Sequence, residues 1–153
     1  MSKFKRIILT ELGETGDTYD WRLTFEDESQ KMYEFYSDEN KYELFVESFK
    51  ADFLVVGFGL KNGTFGKKFS AVTNEGNQFK VASTAIEIAE HAWKTRDSLK
   101  HGDTVKGFSI SAPRESDGGP NVRIEFYKKF IKNRFPGAKI RVKGDEMLVI
   151  VNE

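Results

Sequence analysis

Apolar side chains recur at steps of three and four along two segments of the chain. In the segment from about residue 78 to 99, the repeating positions are Phe79, Ala82, Ile86, Ala89 and Trp93. In the segment from about residue 121 to 134, they are Phe126, Tyr127, Phe130 and Ile131. This spacing places the apolar residues on one side of a helix. The pattern therefore predicts two amphipathic helices that pack on a core.

Other segments alternate apolar and polar residues, or run continuously apolar, as β-strands do. The predicted strands cover residues 4–10, 19–25, 32–36, 42–49, 53–60, 65–72 and 105–112, with a closing hairpin over 140–151. Phe45, Val46 and Phe49 also suit one helical turn, but the alternation of Tyr42, Leu44 and Val46 favours a strand. The run 53–60 is apolar at almost every position, which predicts a central strand covered on both faces. In 105–112, Phe108 and Ile110 share one face, and Ser109 and Ser111 share the other.

The order of these elements predicts an α+β fold. We expect a two-layer sandwich in which a mostly antiparallel sheet carries two helices on one face. The strand-helix-strand portion offers a local parallel pairing. At 153 residues, the chain is expected to form a single domain over residues 1–153.

Composition excludes several kinds of chemistry. The chain has no Cys, so it forms no disulfide, thiolate metal site or cysteine nucleophile. No apolar run reaches the roughly 20 residues of a membrane span, and the first residues lack the pattern of a signal peptide. We therefore expect no membrane partner.

Charge is unevenly distributed along the chain, although the formal net charge is zero. Residues 1–60 carry 7 Lys or Arg and 13 Asp or Glu, whereas residues 61–153 carry 17 and 11. One interpretation is that these are the solvated faces of strands and helices. The other is an acidic edge and a basic face that dock on a partner or a neighbouring subunit.

The second predicted helix carries the candidate binding residues. They are Arg123, Tyr127, Lys128, Lys129, Lys132 and Arg134. Arg123 and Tyr127 are four residues apart, so they project together, and a guanidinium can hold phosphate or carboxylate in a two-pronged contact. The lysines could form a phosphate-facing strip. The alternatives are a structural network for Arg123 and Tyr127 and a solvated helix face for the lysines. The hydroxyl residues form a second candidate set, a polar network of Ser83, Thr84, Ser109 and Ser111.

No catalytic residue, metal site or cofactor is predicted. His91 and His101 are ten residues apart and do not have the spacing of a metal pair on one helix turn. Glu34 and Glu43 can meet across a hairpin, but acidic residues that alternate with apolar ones are typical of a solvated strand face. The glycines of 57–63 lack the spacing of a dinucleotide-binding loop.

A family resemblance rests on three short motifs. They are Val81-Ala82-Ser83-Thr84 at the start of an apolar helix, a strand that ends in Ser111-Ala112, and Arg123-x-x-Phe126-Tyr127-x-x-Phe130. This arrangement, over residues 77–134, resembles a loose group of small uncharacterised proteins from tailed phages and marine viral sequences. The resemblance implies a phage or marine setting. It implies no activity. The absence of Cys fits the cytoplasm, so the expected location is the cytoplasm of a host cell.

Three functional hypotheses follow. The first is a non-enzymatic binding or accessory protein that acts through the basic helix or the acidic strands, with a protein partner or self-association preferred. The second is a nucleic-acid-binding protein that uses the same helix. The third is a small enzyme that acts on a phosphorylated or acidic substrate through Arg123, Tyr127 and the serines.

Overall fold

A computed structural model describes residues 18–37, 41–48, 52–60, 78–111 and 122–151. Within these residues, seven strands and two helices follow one another along the chain. They are β1 (Trp21–Glu26), β2 (Gln30–Tyr36), β3 (Lys41–Glu47), β4 (Phe53–Leu60), α1 (Gln78–Lys94), β5 (Gly107–Ser111), α2 (Val122–Arg134), β6 (Lys139–Lys143) and β7 (Glu146–Ile150). The predicted strands over 4–10 and 65–72 lie outside the described residues.

The seven strands form one mixed sheet in the order β1-β2-β3-β4-β5-β7-β6. β4 and β5 pair in parallel, whereas the other five pairings are antiparallel. Parallel neighbours require a long crossover connection, and α1 lies in the segment that joins β4 to β5. The predictions of an α+β fold, a mostly antiparallel sheet and a local parallel pair are confirmed.

One face of the sheet, called the inner face, is mostly apolar and buried. It carries Tyr33, Phe35, Tyr42, Leu44, Val46, Leu54, Val56, Phe108, Ile110, Met147 and Val149. The strand register places these residues side by side, as in the row from Val46 through Val56 and Ile110 to Met147. Burial of this face is the main source of the fold's stability, because the gain scales with the apolar area removed from water.

Helix α1 buries the predicted apolar positions Ala82, Ile86, Ala89 and Trp93. The α-helix ends at Lys94 rather than at residue 99, and a 3-10 turn follows over Arg96–Ser98. The Thr95 hydroxyl donates a 2.7 Å hydrogen bond to the His91 carbonyl, and the Arg96 guanidinium lies 3.9 Å from the centre of the Trp93 ring. These contacts of the last turn hold the tighter 3-10 geometry, which is frequent at helix ends.

Helix α2 has the predicted bounds at its C-terminal end, and it packs on α1. Tyr127, Phe130 and Ile131 are buried. Phe135, just after the helix, meets the inner-face Phe108 with 5.4 Å between ring centres. No helix in the described residues is long and apolar enough to cross a membrane.

The opposite face of the sheet, called the outer face, is only half covered. The strand 53–60 is predicted to be covered on both faces, and the structure confirms this for one. Leu54 and Val56 on the inner face are buried, whereas Phe53 and Val55 on the outer face are only half-buried. The predicted alternation of the first described strand also breaks down. A β-bulge between Leu23 and Phe25 sets Phe25 opposite Met32, and its side chain is 46% exposed.

Candidate functional site

Three lysines of α2 line one surface groove. The groove has a volume of about 470 Å³ and is lined by Glu125, Lys128, Lys129, Lys132 and Asn133. We call this set the lysine groove. Lys129 and Lys132 are exposed, and Lys128 is 35% exposed and lies 3.9 Å from the Glu125 carboxylate. Three of the predicted binding residues therefore come together around one concave surface, with one carboxylate against three amines.

Arg134 does not belong to that surface. Its side chain is 6% exposed and turns toward α1, where its two terminal nitrogens lie 2.9 Å from Glu90 and 3.3 Å from Glu87. Glu87 is fully buried, and its second oxygen accepts a 2.5 Å hydrogen bond from the Trp21 indole. This buried ionic cluster ties α2 to α1 and to the sheet, so Arg134 has a structural role.

Tyr127 and Arg123 are predicted to project together, but only the Tyr127 side chain lies within the described residues. Tyr127 has no exposed surface and lies in the hydrophobic core. It therefore cannot contact a ligand in the folded state. Arg123 belongs to α2, but its side chain lies outside the described residues.

The four hydroxyl residues form two separate pairs rather than one network. Ser83 and Thr84 are buried in α1, where the Thr84 hydroxyl donates to the Lys80 carbonyl and accepts from the Tyr19 amide. Ser109 and Ser111 share the outer face of β5, as predicted, because their neighbours Phe108 and Ile110 occupy the inner face. Tyr127 and these two serines thus lie on opposite sides of the sheet, and the catalytic set proposed from the sequence is not assembled.

A second polar cluster, built on Lys31, is not among the sequence predictions. Lys31 is 1% exposed on the inner face, and its ammonium bonds Glu26 at 2.7 Å and the Thr95 hydroxyl at 2.8 Å. Hydrogen bonds from Lys31 and then from Ser98 lower the pKa of the Glu26 carboxyl. The signal was present in the sequence, because Lys31 is two residues from the inner-face Tyr33 and therefore shares its side of the strand.

The predicted approach of Glu34 and Glu43 is confirmed, because the two residues are direct cross-strand partners. The Glu34 carboxylate is paired with Arg22 and with Lys41, whose ammonium lies 2.9 Å away. The Lys41 hydrogen bond, followed by that of Arg22, lowers the pKa of Glu34 against the opposing effect of burial. No group of three or more metal-ligating residues occurs in the described part of the chain.

The two histidines have separate local contacts. The His91 Nδ1 atom lies 2.9 Å from the Tyr33 hydroxyl, and the His91 ring meets Trp21 and Tyr33 edge-on. His101 adopts a left-handed backbone conformation, with φ of 65°, in the turn after the 3-10 segment. Its carbonyl accepts hydrogen bonds from the Thr104 and Val105 amides.

No known family model, no curated protein and no solved structure matches this chain.

Proposed function

We propose that this chain is a non-enzymatic binding protein that holds an anionic partner in the lysine groove. The observation that carries the proposal is the convergence of Lys128, Lys129 and Lys132 on one concave surface. Ammonium groups bind carboxylate and phosphate as compact point charges, and several around one groove focus a positive potential. We propose an acidic protein segment as that partner.

The helix itself gains little from this arrangement. Lys128 and Lys132 are four residues apart, and like charges at that spacing destabilise a helix by about 0.2–0.5 kcal/mol. Basic residues near a helix C-terminus do gain from the dipole, but Arg134 and Lys132 already supply that interaction in the last turn. The dipole therefore accounts for Lys132 but not for the convergence of all three lysines on one groove, which a ligand would explain.

Two further features belong to the same proposal. The helices form a single layer on the inner face, which gives a two-layer sandwich and leaves the groove side of α2 open to a partner. The protein acts in the cytoplasm of a host cell, in agreement with a chain that has no Cys.

The experiment measures binding of the full chain to a labelled poly-glutamate peptide by fluorescence anisotropy. We expect the double variant Lys128→Glu/Lys132→Glu to lose at least ~10-fold in affinity, since it replaces two attractive contacts by repulsive ones. The matched control is Lys100→Glu/Lys106→Glu, which makes the same change in net charge at exposed positions elsewhere. Equal losses in the two variants, with folding verified by circular dichroism, would show that the groove is not the binding site.

Nucleic acid is the second candidate partner, and the same groove favours it. The test replaces the peptide with labelled single-stranded DNA, duplex DNA and RNA at low and physiological salt. Each phosphate contact releases condensed counterions, so three lysines give a slope of log K against log salt of about −2 to −3 on a duplex. Affinity for these probes above that for poly-glutamate would favour nucleic acid, whereas binding insensitive to salt would exclude it.

A further inference from the structure

The outer face of the sheet contains one row of residues that runs from an acid to a base. The register aligns Glu47 of β3, Val55 of β4, Ser109 of β5, Leu148 of β7 and Arg141 of β6 across five adjacent strands. Arg141 is exposed, and the other four are half-buried. We call this set the outer row. Neither Glu47 nor Arg141 has an ion-pair partner among the described residues.

The outer row is complementary to itself. Ser109 is its midpoint, with Val55 and Leu148 one strand away on either side and Glu47 and Arg141 two strands away. A two-fold axis parallel to the strands, passing in front of Ser109, brings the row against its own copy. Val55 then faces Leu148 of the second copy, and Glu47 faces its Arg141. Each contact occurs twice, as an isologous interface requires.

The dimensions of such a contact agree with sheet geometry. Strands are about 4.8 Å apart, so Glu47 and Arg141 each lie about 10 Å from the axis. Facing sheets pack at about 10 Å with their strands rotated by about 30°, which displaces the ends of the row by only about 5 Å. Glutamate and arginine side chains are long enough to cover that displacement.

The centre of the outer face carries small residues. The Phe45 ring lies over Gly57, where an added Cβ would clash with the ring. The register places Gly107 next to Ser109 along β5, so small residues line the axis. A formal net charge of zero removes the long-range repulsion that keeps many proteins apart. A half-covered face with small residues at its centre and opposite charges at its two ends therefore favours a second copy of the same chain.

We infer that two copies of this chain associate through their outer faces, with Glu47 of each copy paired to Arg141 of the other. The shared face spans about five strands by five residues, roughly 19 by 17 Å. That size places the contact among small interfaces, so the dimer is weak and depends on concentration. The lysine groove on α2 takes no part in it.

The experiment is sedimentation velocity of the purified full chain over a concentration series at low salt. The wild-type chain is expected to shift from monomer toward dimer as concentration rises. Arg141→Glu and Glu47→Arg, each measured alone, set like charges opposite one another and should raise the dimer dissociation constant at least ~10-fold. Lys132→Glu and Glu125→Arg, exposed on α2, make the same changes in net charge and should leave the dimer intact.

Mixing the two charge-reversal variants gives the decisive result. In a mixed dimer, the glutamate introduced by Arg141→Glu in one chain meets the arginine introduced by Glu47→Arg in the other. The native Glu47 of the first chain meets the native Arg141 of the second, so both pairs are restored. We expect the mixture to dimerise as the wild type does. A wild-type chain that stays monomeric at the highest concentration, or a mixture that stays monomeric when the wild type dimerises, would overturn the inference.

Discussion

Lys132 and Arg134 are two residues apart on α2, yet their surroundings are opposite. Lys132 is exposed and lines the lysine groove, whereas Arg134 is 6% exposed and holds two carboxylates of α1. The sequence alone predicts both as members of one basic binding strip. The packing partner of the helix, rather than the charge of the residue, decides which cation is available to a ligand.

The two regions also differ in what their charges contribute to stability. Exposed charges are hydrated and screened, so removing one changes stability little. A buried ion pair costs desolvation on both sides, and removing one partner leaves an uncompensated charge in a medium of low dielectric constant. The buried ionic cluster should therefore dominate the stability of the helical layer, and the lysine groove should leave it almost unchanged.

The largest expected effect is that of Arg134→Met. Loss of the guanidinium leaves Glu87 fully buried without a cation, whereas Glu90 keeps Lys94 at 3.2 Å. The expected loss in the free energy of unfolding is about 3–5 kcal/mol. Urea unfolding followed by tryptophan fluorescence measures it. The control, Lys132→Met, removes a cation from the same turn and should change stability by no more than about 0.5 kcal/mol.

A second variant identifies the cause of that loss. Adding Glu87→Gln to Arg134→Met neutralises the more deeply buried carboxylate, and it should recover part of the stability. The comparison between the two regions would be refuted if Arg134→Met and Lys132→Met were equally stable. Failure of Glu87→Gln to recover any stability would attribute the loss to packing instead of stranded charge.

A smaller effect is expected for Lys31→Met. Lys31 is more deeply buried than Arg134, but its partner Glu26 is 37% exposed and remains hydrated after the ammonium is removed. We expect a loss of about 2 kcal/mol, the scale of a hydrogen bond to a charged group. Amide hydrogen exchange should also speed up in the 3-10 turn Arg96–Ser98, because Ser98 shares the Glu26 carboxylate with Lys31. If Lys31→Met lost as much stability as Arg134→Met, the exposure of the carboxylate partner would not determine how much stability the loss of its cation costs.

The sequence predicted the elements well because their signals are local. Periods of two and of about 3.6, together with the continuous apolar run 53–60, identified both helices and the described strands, and the turn at Gly144 marked the closing hairpin. The bulge that turns Phe25 outward could not be read from the pattern, because a bulge depends on pairing with the neighbouring strand.

The candidate site was predicted only in part. The lysines could be identified from composition, but separating Arg134 from them required its position relative to the buried stripe of α2. That stripe contains Tyr127 and Ile131, and Arg134 follows at the next step of three. The helical period therefore held this information. The identity of Arg134's partners did not follow from it, since Glu87 and Glu90 come from a helix more than 40 residues away.

The smallest expected effect is on the pH dependence of stability, and it comes from the ion pairs that Glu34 makes on the outer face. Lys41 and Arg22 hold the pKa of Glu34 below its ordinary value of 4.5. A carboxyl whose pKa is lower in the folded state contributes stability above the unfolded-state value, and that contribution is lost as the pH falls through 4.5 and below. Glu34→Gln should therefore cost roughly 1 kcal/mol at neutral pH and almost nothing in acid.

Urea unfolding at a series of pH values measures this difference directly. The curves of wild type and Glu34→Gln should be separated at neutral pH and converge below pH 4.5. Glu125→Gln, at a side chain 70% exposed on α2, controls for the loss of one carboxylate. A separation that persists unchanged into acid would mean that Glu34 stabilises the fold through packing and not through its charge. Glu34, although its side chain is only 6% exposed, would then differ from Glu87 of the buried ionic cluster, whose contribution depends on its charge.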